Sequence, residues 1–211
     1  MEVLSETDSI IFDLDGTLWD STATVAKAWQ GAIAQVDYVK ATVTQADVQS
    51  ITGMPYNAIF QKLFPYLPAA QLNELQNLCA KDELKYMQEF GGTLYDGLEE
   101  TLQYLQAKYD LFIVSNCQRG YIEAFLERHN MHGYFNDHEC YGSRDLPKAE
   151  NIKEIIRRNN LQAPVYVGDT GGDGEASQKN NIPFIFASYG FGFVPKPAIS
   201  ISRVTDLKDI L

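Results

Sequence analysis

Four short apolar runs, separated by helical periodicity, constrain this chain more than any other feature. They are Ile10-Ile11-Phe12, Leu111-Phe112-Ile113-Val114, Val165-Tyr166-Val167 and Ile182-Pro183-Phe184-Ile185-Phe186. Each is short, β-branched or aromatic, and continuous rather than alternating, which is the pattern of a strand buried on both faces of a parallel sheet. Leu98, Leu102 and Leu105 repeat at helical spacing between the first two runs. Ile122, Phe125 and Leu126 follow the second run, and Ile152, Ile155 and Ile156 precede the third. Strands alternating with amphipathic helices predict an α/β fold with a Rossmann-like, doubly wound parallel sheet.

Residues 19–91 break that alternation. Their patterns predict helices over Thr24 to Val36, Thr44 to Ile51, Tyr56 to Leu63 and Ala70 to Glu89, with Asp20-Ser21 and Thr44 as N-caps and Gly91-Gly92 as a hinge. This segment reads as an inserted α-helical cap domain, with a core formed by residues 1–18 and 92–211. The plainer alternative is a group of helices packed on one face of the sheet.

Ligands of parallel α/β sheets bind outside the carboxyl ends of the strands, so the residues after each run carry the chemistry. Asp13-Leu14-Asp15-Gly16-Thr17 follows the first run. Two carboxylates so close repel each other unless a cation or a proton intervenes, and Gly16 permits a tight turn whose N–H groups can face a phosphate. Ser115-Asn116 follows the second run and offers a hydroxyl and an amide as donors. Lys148 stands before a helix expected to begin near Glu150. Gly168-Asp169-Thr170-Gly171-Gly172-Asp173 follows the third run and adds two carboxylates at the same edge, a set suited to a hard cation such as Mg²⁺. Each cluster alone could be an ordinary turn or cap; their succession at consecutive strand ends carries the signal.

The chain's 211 residues suffice for a core without disulfides, and Cys79, Cys117 and Cys140 are odd in number and widely spaced, which fits a reducing cytoplasm. A net charge of −11 argues against nucleic acid or an anionic membrane surface as partner. It leaves open a small phosphorylated metabolite, for which a metal supplies local positive charge. No basic leader precedes Ser9 and no apolar run approaches the ~20 residues needed to span a bilayer. The expected assembly is a monomer or small homo-oligomer.

In order, Asp13-Leu14-Asp15-Gly16-Thr17-Leu18, Ser115-Asn116, Lys148 and Gly168 to Asp173 resemble the four motifs of the haloacid dehalogenase-like hydrolases. The spacing is similar to that of the phosphoglycolate phosphatase-like subgroup, whose helical cap lies between the first and second motifs. Leu94 to Leu102 resembles the family's segment after the cap, with Asp96 where proline is common, and Ala149 likewise replaces a common proline. The resemblance implies a phosphatase that cleaves a phosphomonoester through an aspartyl-phosphate. Asp13 would be the nucleophile, and Asp15 the general acid and then base, with a raised pKa. Asp13, the Asp15 carbonyl and Asp169 would hold Mg²⁺. Gly16, Ser115, Asn116 and Lys148 would bind the phosphoryl group. Thr170 and Asp173 would stand behind the metal, Asp173 through water or as an anchor for Lys148. Asp15 sets the chain apart from the superfamily's dehalogenases, which lack that aspartate. A β-phosphoglucomutase-like mutase shares the core motifs, but Thr52 to Asn57 holds no arginine for a second phosphate, and adjacent Glu-Asp is missing from the fourth motif. A non-catalytic phosphometabolite-binding protein of the same fold is the remaining alternative.

Other residues invite weaker readings. Cys117, His129, His132, His138 and Cys140 could suggest zinc, but their spacing is irregular and no Cys-x-x-Cys is present. Trp19 either shapes the pocket or packs the hinge. Arg119 is expected on a helix face, Phe191-Gly192-Phe193 as a loop on the sheet edge, and Phe60, Phe64 and Tyr66 in the core of the helical segment.

Overall fold

The computed structural model describes residues 4–211, so residues 1–3 of the expected core lie outside the described residues. In chain order the elements are β1 (Ser9–Phe12), β2 (Trp19–Asp20), α1 (Thr22–Ile33), α2 (Gln45–Gln49), α3 (Tyr56–Leu63), α4 (Ala69–Glu89), β3 (Thr93–Leu94), α5 (Leu98–Gln106), β4 (Asp110–Ser115), α6 (Tyr121–Arg128), β5 (Asp137–Cys140), α7 (Tyr141–Arg144), α8 (Lys148–Asn159), β6 (Pro164–Gly168), α9 (Gly171–Lys179), β7 (Phe184–Ala187), β8 (Ser200–Ile201) and α10 (Leu207–Ile210).

The main sheet is six-stranded and parallel, in the order β5-β4-β1-β6-β7-β8. All four apolar runs enter it. Strand residues alternate between two cores. Ile10, Phe12, Ile113 and Val167 join the larger one, while Ile11, Phe112, Val114 and Tyr166 pack on Ile152 and Ile155 of α8 and Ala176 of α9. Helices therefore cover both faces, as the continuous apolar runs require. Each fully buried aliphatic or aromatic side chain contributes about 1.5–3 kcal/mol.

Three strand features departed from the apolar pattern. β5 reads Asp-His-Glu-Cys, polar because it forms a sheet edge, where charge discourages pairing with another chain. Arg158 of α8 braces it, reaching Asp137, Glu139 and the His138 carbonyl. The last apolar run begins pairing at Phe184, and Pro183 instead offers its carbonyl to Tyr166 N–H. The short β8 closes the other edge.

Helices α1 to α4 lie between β2 and β3, which pair antiparallel, Trp19 with Leu94 and Asp20 with Thr93. Chain entry and exit are thus tied together beside Gly91-Gly92, and Thr24 Oγ1 donates to the Gly91 carbonyl at 2.7 Å. Thr44 caps α2 through a reciprocal bond pattern with Asp47. At α1 the expected pair divides its work: Asp20 Oδ1 accepts from Thr22 N–H at 2.9 Å, while the Ser21 hydroxyl goes elsewhere. Helix α4 packs on α1 and on α6. Phe60 and Phe64 are core as expected, Phe60 stacked on Phe64 and tilted against Trp29, but Tyr66 is 59% exposed and is not.

Candidate active site

Because β1 is central, its end lies between the ends of β4 and β6, and Asp13 N–H donates to the Val167 carbonyl at 2.8 Å. The sheet thereby brings Asp13, Ser115 and Asp169 to one edge. Carboxylate oxygens of Asp13, Asp169 and Asp173 lie within 4.8 Å of one another, all buried. Lys148, the first residue of α8 rather than a residue before it, sends its ammonium group between two of them. Nζ lies 2.9 Å from Asp13 Oδ1 and 2.5 Å from Asp173 Oδ1. Asp173 Oδ2 accepts from Thr170 N–H and Oγ1 at 2.9 and 2.7 Å, so Asp173 caps α9 while anchoring Lys148.

One ammonium does not neutralise three carboxylates. Burial pushes the Asp13 carboxyl well above its usual range; Lys148 opposes the shift, and Asp173 and Asp169 add to it. Burial, then Asp173, raises Asp169 to about 7, although Phe191 and Gly192 N–H groups donate to its Oδ2. Burial opposes the Lys148 charge, but Asp13 and Asp173 outweigh it and hold that group well above its usual value. Among the described residues, Asp169 Oδ1 has no hydrogen-bond partner, and Asp13 Oδ1 has only the ion pair, without hydrogen-bond geometry. Two unsatisfied buried carboxylate oxygens in an electron-rich, all-oxygen cluster fit a hard divalent cation. The Asp15 side chain is not in this cluster, which leaves its backbone carbonyl as the expected ligand.

Gly16 holds the turn at φ +82°, and a Cβ there would sit 2.3 Å from Asp169 Oδ2. Gly16→Ala is expected to displace Asp169 and lower kcat/KM by at least about 10²-fold, as an ångström-scale misplacement does. Steady-state assays beside a thermal melt check it: activity falls far more than stability.

Asp15 occupies a different environment. Ser21 Oγ donates to its Oδ1 at 2.6 Å, and Tyr121 OH lies 3.1 Å from the same oxygen and 2.8 Å from Ser21 Oγ. Burial raises Asp15 to about 6, and these two hydroxyls restrain the rise. Burial, then Asp15, keeps the Tyr121 phenol protonated and hence a donor. Asp13 and Asp15 thus sit two residues apart with opposite partners: a cation for one, neutral hydroxyls for the other.

Both line a pocket of about 60 Å³ between the sheet edge and the helical segment. Ser115, Asn116, Ser21 and Tyr121 join its floor, and Trp29, Ile51, Tyr56 and Glu83 its roof. The Asn116 amide donates to the Gly53 carbonyl at 2.8 Å and Gln118 donates to the Ala80 carbonyl at 3.1 Å, so the loop after β4 holds the helical segment down.

The structure brings together Asp13, Asp15, Gly16, Ser115, Asn116, Lys148, Asp169, Thr170 and Asp173. Other placements settle open readings. Trp19 packs edge-on to Tyr121, Phe125 and His129 beside the β2–β3 pair and does not line the pocket. Arg119 lies in a separate surface groove. His132 lies 3.7 Å from Glu127, His129 packs on Trp19 and Phe125, and His138 is in β5. The Phe191 loop, expected only to cover the sheet edge, clamps Asp169 with two backbone N–H groups. Sequence reasoning missed Ser21, Tyr121, Gln118 and Glu83. Only Glu83 left a trace: Leu75, Cys79, Glu83 and Met87 recur every four residues on the buried stripe of α4, a place for an apolar side chain.

A phosphoglycolate phosphatase from Synechococcus elongatus is 29% identical over 87% of this chain and 84% of its own length. A 5′-nucleotidase from Pseudomonas aeruginosa is 23% identical over the same shares. The solved structure of a predicted phosphoglycolate phosphatase from Haemophilus somnus superposes with a TM-score of 0.86, covering 98% of this chain and 99% of that one; at 20% identity the likeness is one of fold. The sequence model of the haloacid dehalogenase-like hydrolases matches residues 10–187, spanning every cluster of the site, and the chain belongs to that family.

Proposed function

We propose that the protein is a Mg²⁺-dependent phosphomonoesterase that hydrolyses a small phosphorylated metabolite through an aspartyl-phosphate at Asp13. The observation that carries this reading is the split environment of Asp13 and Asp15 on one pocket floor, an arrangement that separates a nucleophile from an acid/base. Asp13 attacks phosphorus, the bond from phosphorus to the alcohol oxygen breaks, and Asp15 delivers its proton to that oxygen. Asp15 then takes a proton from the water that attacks the acyl-phosphate, releasing inorganic phosphate and restoring Asp13. Lys148 steadies the Asp13 carboxylate, while Ser115 and the backbone N–H groups of Asp15 and Asn116 receive phosphoryl oxygens; Gly16, expected among these donors, instead gives its N–H to the Trp19 carbonyl at 2.9 Å and shapes the turn. Asp13, Asp169 and the Asp15 carbonyl would hold Mg²⁺, which when bound offsets the repulsion between carboxylate and phosphoryl group.

Residues 19–91 act as a cap that closes over the substrate through Asn116 and Gln118 and excludes water. The pocket lining includes no Lys, Arg or His among the described residues, which supports hydrolysis over a mutase that must hold a second phosphate. No helix among the described residues is long and apolar enough to cross a membrane, and the three buried free cysteines fit a reducing, cytoplasmic setting.

The test is phosphate release from p-nitrophenyl phosphate and a panel of phosphomonoesters, with Mg²⁺ and with chelator. Release that requires the metal supports the reading; its absence from a folded, metal-loaded protein overturns it. A finer expectation concerns Tyr121→Phe. The acid form of Asp15 is needed for cleavage of alkyl phosphates, so kcat/KM falls as pH rises past about 6. Tyr121 lowers that pKa through its hydrogen bond, so removing the hydroxyl moves the falling limb to higher pH. A pH profile of kcat/KM on an alkyl phosphate checks the direction.

A further inference from the structure

Glu83 is a carboxylate in the interior of α4, only 3% exposed, lining the pocket across from Asp13 and Asp15. It has no ion-pair partner among the described residues. Three neutral donors hold it instead: Trp29 Nε1 at 2.6 Å and Tyr56 OH at 3.2 Å to Oε2, and Gln118 Nε2 at 3.0 Å to Oε1. Indole and amide N–H groups only donate, so this setting calls for Glu83 as an acceptor. Oε1 takes one donor and keeps room for another. A buried acceptor whose capacity is part-filled, on the wall of a pocket whose lining includes Val25, Val48, Ile51, Met54 and Ile59, awaits a donor from the ligand.

We infer that Glu83 is a specificity-determining residue that selects phosphomonoesters whose alcohol carries a hydroxyl or ammonium donor and rejects those whose alcohol carries a carboxylate. The inference rests on the phosphomonoesterase reading and names its substrate class. Above about pH 7, the value to which burial raises Glu83, a substrate carboxylate would face the Glu83 charge with no Lys, Arg or His among the described residues lining the pocket to receive it. At the separations of a small pocket and an effective dielectric near 20, like-charge repulsion of this kind costs about 10²-fold in affinity. The donor on the alcohol meets Oε1 and completes the carboxylate's hydrogen bonding.

Three two-carbon esters that differ only in their far group test it: 2-phosphoglycolate, 2-hydroxyethyl phosphate and O-phosphoethanolamine. They are ranked by kcat/KM, or by inhibition constant against p-nitrophenyl phosphate where one is not turned over. The wild type is expected to favour the hydroxyl and ammonium compounds over 2-phosphoglycolate by about 10- to 100-fold. Glu83→Gln keeps the size and should shrink that ratio at least tenfold, by gain on 2-phosphoglycolate and loss on O-phosphoethanolamine. A merely structural role would lower all three together and leave the ratio unchanged, which overturns the inference. So does a wild type that prefers 2-phosphoglycolate, a result that needs no variant and holds if Glu83→Gln fails to fold. Hydrolysis of p-nitrophenyl phosphate in the same experiment keeps the phosphatase reading standing in those cases, whereas failure to cleave it and all three esters ends both.

Discussion

Asp13→Asn is expected to lower phosphate release by at least about 10⁴-fold while leaving the protein as stable as the wild type or more so, in the absence of metal. The activity loss follows from replacing an ionised nucleophile by an amide that cannot form the acyl-phosphate. The stability follows from the same burial that makes the site. The native fold raises the Asp13 carboxyl well above its ordinary value, which means that it disfavours the charge. A neutral side chain of the same shape removes that opposition, and Lys148 retains Asp173 as its partner. Melting temperature is the readout, with a shift of about 2–4 °C for each kcal/mol in a chain of this size. A lost activity accompanied by a large drop in melting temperature would instead make Asp13 a structural residue.

Lys148→Met is expected to destabilise the fold by about 3–5 kcal/mol, or about 6–20 °C in melting temperature, and to abolish activity as well. Removing the ammonium leaves Asp13 and Asp173, buried and close, without their shared cation. The deficit should shrink as pH is lowered. Asp13 has a folded-state pKa above its unfolded value, so the folded state gains protons, and stability returns, as the pH falls through that raised value. A divalent cation should raise the melting temperature of this variant more than that of the wild type, because it replaces part of the missing charge. Scanning fluorimetry across pH, with and without Mg²⁺, reads all three effects. Equal melting temperatures for variant and wild type would show that the triad does not hold the strand ends together.

Much of this was legible in the chain itself because the relevant signals are local. The continuous apolar runs of β1, β4, β6 and β7 announce strands buried on both faces, and parallel pairing then puts their polar successors at one edge without further information. Thr44 with Asp47 marks a helix start by a bond pattern three residues long. What escaped depends on contacts across the fold. β5 is polar because it is an edge, a fact set by strand order rather than by its own residues. Ser21 looks like a helix cap but turns to Asp15, since Asp20 takes the capping bond. Tyr121 reaches Asp15 across 106 positions of sequence. Glu83 was the one distant site residue with a local trace, a charge where α4 repeats an apolar stripe.

The central claim is covalent chemistry at Asp13, and it is tested most directly by trapping. The enzyme with Mg²⁺ is mixed with a ³²P-labelled phosphomonoester that it cleaves, quenched in acid within the first turnover, digested and mapped. The account predicts a phosphoryl label on the peptide carrying Asp13, on the Asp13 carboxylate, and no label in Asp13→Asn. Turnover with no protein-bound phosphoryl group, or a label carried by another residue, would contradict it.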